Sequence, residues 1–163
     1  MQGGAYLGVL GHRGVGRARR RKAVVGFLPA TGGLVRFDGH EVTAAEPYQR
    51  ARLGLGYVPQ GHSTEAVLTC QEELVDQAEM YRMSRASGRT RAAELIALLD
   101  LGGLEHRKVS TLSGGQRRRL EIALGLVHTP QLIFLDEPTT GLDPQSRANM
   151  WDHVRRLRAD LGA

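Results

Sequence analysis

The sequence predicts an α/β domain with a mostly parallel sheet, and three stretches carry that prediction. A glycine-rich segment, Gly11 to Ala18, lies between a short apolar run and a basic run of helical character. A second short apolar run, Leu132 to Leu135, ends in two carboxylates, Asp136 and Glu137. Ser113-Gly114-Gly115 opens a periodic apolar stretch that stops before Pro130. Open α/β sheets place their ligands at the carboxyl ends of strands, where the two carboxylates fall.

Length and composition bound the class. At 163 residues, 41% hydrophobic and 24% charged, the chain reads as one globular domain that can bury a core. A single cysteine, Cys70, leaves no intrachain disulfide and no cysteine-based zinc site, which fits the cytosol. No run of about 18 apolar residues exists to span a membrane. Met1-Gln2-Gly3-Gly4 lacks the basic-then-apolar pattern of a secretory signal. The net charge of +5 raises a nucleic-acid reading. The basic residues cluster at Arg17 to Lys22, Arg117 to Arg119 and Arg155 to Arg158. No aromatics interleave them, so they make poor stacking platforms, and solvated helix faces are the plainer reading.

Taken in order, Tyr6 to Leu10 is a strand candidate. Gly11, His12, Arg13, Gly14, Val15, Gly16, Arg17 and Ala18 have the spacing of a phosphate loop, G-x-x-x-x-G-K-[ST]. Arg17 stands at the lysine position and Ala18 at the hydroxyl position. Arginine keeps the charge but is longer and planar, and alanine has no oxygen to offer a metal. Read alone, the loop fits an ordinary strand–helix turn equally well. Arg17 to Leu28 is expected to be helical, although a basic first turn opposes the helix dipole. Pro29 to Gly33 reads as a loop. Leu34 to Phe37 alternates as a strand, and Asp38-Gly39 turns it into His40-Glu41-Val42. His40 has no partner at metal spacing and reads as a solvated turn residue. Pro47 to Leu53 is a short helix, and Leu55 to Gln60 is a strand ending in glutamine.

Two amphipathic helices follow. Glu72 to Met83 carries Leu74, Val75, Ala78 and Tyr81 on one stripe. Thr90 to Leu101 carries Ala93, Ile96 and Ala97, with Leu99 or Asp100 at the boundary and Gly102-Gly103 as its stop. Ser113 then caps a helix from about Gly115 to His128, whose N–H groups lie open to an anion. Leu120, Ala123, Leu124 and Val127 share one face, and Arg117, Arg118 and Arg119 are expected towards solvent or phosphate. Leu132 to Leu135 reads as a buried parallel strand. Of the two carboxylates at its end, one can hold Mg²⁺ and the other polarise a water. Pro144 opens a last helix with Trp151, Val154 and Leu157 on one face.

Leu112-Ser113-Gly114-Gly115-Gln116 resembles the signature motif of ATP-binding-cassette (ABC) ATPases. Leu132 to Glu137 resembles their Walker B strand with its following glutamate, and Gly141-Leu142-Asp143 resembles their D-loop. The wording from Asp136 to Pro144 is most similar to the ATP-binding subunits of drug and antibiotic exporters of the daunorubicin-resistance type. The resemblance implies a P-loop NTPase core with an inserted helical subdomain. It places residues 1–60 and 111–163 in the nucleotide-binding core and 61–110 in the subdomain, over a partial ABC ATPase domain of 1–163. It also implies ATP and Mg²⁺ as cofactors. Gly11 to Ala18 would hold ATP, Asp136 and Gln60 would hold Mg²⁺, and Glu137, aided by Gln60, would be the general base. Leu112 to Gln116 would grip the γ-phosphate of ATP held by a second ATPase subunit, and Asp143 would bridge the dimer. The implied partners are a polytopic membrane subunit and a like or unlike ABC ATPase, with the chain peripheral on the inner face of the cell membrane and powering export.

Against the family unit the chain is expected to be short at both ends. Ten residues precede Gly11, too few for the adenine-stacking platform, and the switch histidine would follow Ala163. His153 lies too early to replace it. With Arg17 and Ala18 in the loop, the chain's own hydrolysis is expected to be poor. A silent or decayed fragment, and a nucleic-acid-associated ABC ATPase, are the alternatives.

Overall fold

A computed structural model describes residues 17–59, 64–140 and, in a final helical stretch, 144–145, 147–149 and 152. The element order is α1 (Arg17–Val25), β1 (Arg36–Phe37), β2 (His40–Glu41), α2 (Pro47–Arg52), β3 (Leu55–Val58), α3 (Cys70–Met80), α4 (Arg85–Leu98), a 3-10 turn (Val109–Thr111), α5 (Gly114–Leu126) and β4 (Leu132–Leu135). The strand candidate Tyr6 to Leu10, and Trp151, His153, Val154 and Leu157, lie outside the described residues.

The expected hairpin forms in register, with Arg36 opposite Glu41 and Phe37 opposite His40. Asp38 (φ 47°) and Gly39 (φ 76°) both take the left-handed region, the mirror-image turn that matches strand twist. His40 is exposed, and its Nδ1 lies 2.8 Å from the Asp38 carbonyl.

α1 stops at Val25, three residues before the expected end. Buried Arg50 of α2 caps it: Nη1 donates to the carbonyls of Ala23 (2.7 Å) and Val24 (2.6 Å), and Nη2 and Nε donate to those of Thr43 and Ala45. A guanidinium at a helix C-terminus satisfies orphan carbonyls and complements the dipole.

β3 and β4 pair in parallel, Leu55 with Leu132 through Val58 with Leu135. β4 is half-buried along its length rather than fully buried. β3 covers one edge, and among the described residues no strand pairs with the other. α5 lies so close on β3 that a Cβ on Gly125 would sit 2.4 Å from Cγ2 of Val58. One core joins these parts: Val58, Leu74, Leu95, Leu99, Leu120, Ile122 and Leu124 are all essentially inaccessible to water. Burying each such side chain is worth about 1.5–3 kcal/mol.

α3 has the capping box Thr69/Glu72 and the expected stripe, with Tyr81 as its C-cap. α4 presents Gly88, Ala92, Leu95 and Ile96 inward, while Ala93 and Ala97 are exposed, so its buried face is turned from the expected one. Leucine and isoleucine bury more apolar surface than alanine, and they decide the face. Its stop also differs. Asp100 takes the left-handed conformation (φ 49°), and the Leu101 N–H donates to the Ile96 carbonyl at 2.9 Å. That is a Schellman closure with buried Leu101 as its apolar clasp, in place of Gly102-Gly103.

Candidate functional site

α5 begins as the sequence requires. Ser113 is the N-cap; its Oγ accepts from the Gln116 N–H (3.3 Å), and Gln116 Oε1 accepts from the Ser113 N–H (3.0 Å). This capping box satisfies the N–H groups of Ser113 and Gln116 reciprocally. Ser113 and Gly114 are exposed, and nothing lies within 4 Å of where a Gly114 Cβ would be. Buried Leu112 anchors the segment from below. The result is a helix entrance whose early N–H groups open on unobstructed space, a geometry suited to an anion.

The arginine face of α5 does not turn wholly to solvent or phosphate as expected. Arg117 is exposed, but Arg118 is 8% exposed and lies at the centre of a clamp. It pairs with buried Glu121 at 2.5 Å. The same guanidinium donates to the carbonyls of Pro59 (3.0 Å), Asp136 (2.8 Å) and Pro138 (3.2 Å). Those carbonyls lie at the ends of β3 and β4, so three hydrogen bonds from one planar guanidinium fasten the helix to both strands at once. Periodicity assigns arginine to solvent, whereas the carbonyls at two strand ends need donors. Glu121, three residues on and on the apolar stripe, is the sequence signal that marks Arg118 as internal.

Asp136 continues the β3–β4 ladder through its N–H to the Val58 carbonyl (3.0 Å). Its Oδ1 lies 2.5 Å from Nη2 of Arg21 on α1, and its Oδ2 accepts from the Tyr57 hydroxyl at 3.3 Å. Burial first, then the Asp136 charge, pushes the Tyr57 phenol pKa up, so it remains a donor. Neither Arg21 nor Tyr57 stands out in the sequence. Arg21 is one of five basic residues in a row of six, and Tyr57 is an interior strand position.

Glu137 is exposed in the turn that follows, with φ 47°. Its Oε2 accepts from Thr140 Oγ1 at 2.9 Å, and the Thr140 N–H returns to its carbonyl. Arg17 and Ala18 open α1. Gly11, His12, Arg13, Gly14, Val15 and Gly16 of the glycine-rich loop, Gln60, and Gly141, Leu142 and Asp143 lie outside the described residues. The structure therefore brings together the α1 helix, Asp136 and the arginine-fastened α5, with Glu137 at the rim.

The donor set does not suit the divalent ion that the resemblance implies. Both Asp136 oxygens are engaged, Ala18 carries no oxygen, and among the described residues no three His, Cys, Asp or Glu side chains group as metal ligands. Mg²⁺ beside a nucleotide takes one or two protein oxygens and fills its shell with phosphate and water, so the engaged Asp136 and the missing hydroxyl at Ala18 are what count against it here.

The fold, with its parallel strand pair and serine-capped helix entrance, is that of an ATP-binding cassette of the P-loop NTPase class. A family profile described as "ABC transporter" matches residues 1–140, and the chain belongs to that family. It is 44% identical over 154 residues to the daunorubicin/doxorubicin resistance ATP-binding protein DrrA of Streptomyces peucetius, covering 94% of this chain and 46% of that protein. It is 37% identical to the Nod factor export ATP-binding protein I of Rhizobium meliloti, over 96% of this chain and 46% of that one. The chain thus spans about half the length of the curated relatives it matches. Among solved structures it is similar to a nucleotide-free ATP-binding cassette from an ABC transporter, with TM-score 0.79 and 26% identity over 91% of this chain and 64% of that one. A dimeric cassette in a post-hydrolysis state bound to ADP and Pi gives TM-score 0.75 and 25% identity, over 90% and 66%.

Proposed function

We propose that this chain is the ATP-binding part of an ABC exporter of small molecules, and that its own hydrolysis is weak. The observation that carries the reading is the intact, exposed signature entrance at Ser113 to Gln116, held rigidly to the ends of β3 and β4 by Arg118. An entrance of this kind acts on a phosphate brought by another molecule. Gly11 to Ala18 would cradle the chain's own nucleotide, with Arg17 as the charge at the lysine position. Ser113, Gly114 and Gly115 would donate to the terminal phosphate of ATP held by a second cassette, of this chain or another. Asp143 would lie at that junction. Glu137, exposed beside Asp136, would accept the proton of an attacking water, with Gln60 placing that water.

No helix among the described residues is long and apolar enough to cross a membrane. In the exporter reading a separate polytopic membrane subunit would carry the solute, with the chain peripheral on the cytoplasmic face. The relatives named for drug resistance and export support the exporter direction. Residues 61–110 would form the helical subdomain that meets the membrane subunit. Mg²⁺, which the resemblance implies beside ATP, would have to take Asp136 from Arg21 and Tyr57.

A second reading is favoured by the same entrance in a chain that has Ala18 at the hydroxyl position: a silent partner that lends Ser113 to Gln116 to a complete ATPase. The nucleic-acid reading loses ground, because Arg21 and Arg118 are spent on internal partners. Phosphate release by the purified chain, alone and mixed with a complete ABC ATPase, tests the proposal. The expected result is little turnover alone and altered turnover of the complete enzyme. Vigorous turnover alone that vanishes in Glu137→Gln overturns the weak-hydrolysis statement, and no effect on the complete enzyme overturns the silent-partner reading.

A further inference from the structure

The Arg21–Asp136 pair sits where α1, the helix that follows the glycine-rich loop, meets the end of β4. The two side chains are 24% and 13% exposed and 2.5 Å apart. Arg21 lies one helical turn beyond Arg17 in α1. The run from Arg17 to Lys22 carries five cations, with no acid in the first turn of α1. An uncompensated cationic run at a helix N-terminus is unfavourable in itself. Asp136 neutralises one of the five. Arg21 Nε is buried and has no hydrogen-bond partner.

We propose that Arg21 is a tethered counter-cation for Asp136, standing in the place of a divalent ion, and that the chain takes its nucleotide as metal-free triphosphate. The inference rests on the reading of this site as a nucleotide site. A fixed guanidinium already satisfies the carboxylate with a charge-assisted bond, and a cation arriving at Asp136 has to displace it. The remaining cations of α1 then meet the phosphates directly. Free triphosphate carries two more negative charges than its Mg²⁺ complex, so the basic run attracts it more strongly. Tyr57, donating to the second oxygen, closes the other approach to the carboxylate.

The test is a titration of the whole chain with a fluorescent ATP analogue, in Mg²⁺ and in EDTA, for wild type, Arg21→Leu and Arg21→Lys. The expected wild-type affinity in EDTA equals or exceeds that in Mg²⁺. Arg21→Leu frees Asp136 and is expected to bind tighter in Mg²⁺ by about tenfold, while Arg21→Lys keeps the wild-type pattern. Electron paramagnetic resonance with Mn²⁺ and ATP gives an independent readout: no protein-bound manganese in wild type, and bound manganese in Arg21→Leu. Wild-type binding that needs Mg²⁺ by about tenfold or more overturns the inference and leaves the nucleotide reading standing. The same metal dependence in wild type and Arg21→Leu also overturns it. Failure of a folded wild-type chain to bind either form overturns the nucleotide reading itself, and the inference with it. The wild-type comparison decides the matter even where a variant does not fold.

Discussion

Arg118→Met is the perturbation on which the clamp makes its sharpest prediction. The Glu121 side chain is 8% exposed and pairs with Arg118 at 2.5 Å. Removing one partner of a buried pair leaves the other charge stranded, at a cost of about 3–5 kcal/mol. The carbonyls of Pro59, Asp136 and Pro138 lose donors as well, and water entering the gap recovers part of that loss. A total near 4 kcal/mol is expected, and at roughly 2–4 °C per kcal/mol for a domain of this size it lowers Tm by roughly 8–16 °C. Urea denaturation followed by circular dichroism measures it. Arg118→Met/Glu121→Leu removes both charges, and replacing a buried pair by apolar groups is often near neutral. The double variant is therefore expected to be more stable than Arg118→Met alone. Arg118→Lys keeps the pair but loses the planar fork, and falls between wild type and Arg118→Met. A loss below about 1 kcal/mol for Arg118→Met, or a double variant no more stable than the single one, refutes the clamp.

Two further predictions follow from packing and titration. Gly125→Ala sets a methyl group against Val58 Cγ2, which has no room to move in a fully buried site. It is expected to cost about 1–3 kcal/mol despite alanine's better helix propensity, with Gly125→Ala/Val58→Ala recovering part of the loss in the same urea assay. His128 stacks on Tyr81 with ring centroids 4.4 Å apart, and its Nε2 lies 3.2 Å from the Leu55 carbonyl. Burial lowers its pKa. The unfolded chain then takes up a proton that the folded chain refuses, so this stability is present above about pH 6.5 and falls as pH drops towards the folded pKa. Urea midpoints across that range are expected to lose part of their slope in His128→Gln.

The sheet, the hairpin and the helix entrance were legible because each rests on local chemistry. Asp38-Gly39 permits a mirror-image turn, and Ser113 with Gln116 three residues on writes a capping box. What escaped is what depends on neighbours distant in the chain. Arg50 is buried because the end of α1 arrives beside it, and Arg118 because two strand ends converge on it. Arg21 reads as one basic residue among several until β4 brings Asp136 to it, 115 residues away. Leu95 and Ile96 outweigh alanines in choosing the buried face of α4, which spacing alone did not weigh. Asp100 serves as the left-handed stop of α4 because Leu101 has a core to enter, although two glycines follow.

We propose that the chain still receives a nucleotide although Arg17 and Ala18 stand at the lysine and hydroxyl positions of its glycine-rich segment. Equilibrium binding of a fluorescent ATP analogue to the folded full chain, in EDTA and competed with unlabelled ATP, tests it most directly. Saturable binding that ATP displaces and that Arg17→Ala weakens is expected. A folded chain that gives no displaceable binding contradicts that proposal, and leaves the proposed role of the entrance at Ser113 to Gln116 towards another subunit's ATP to be tested by itself.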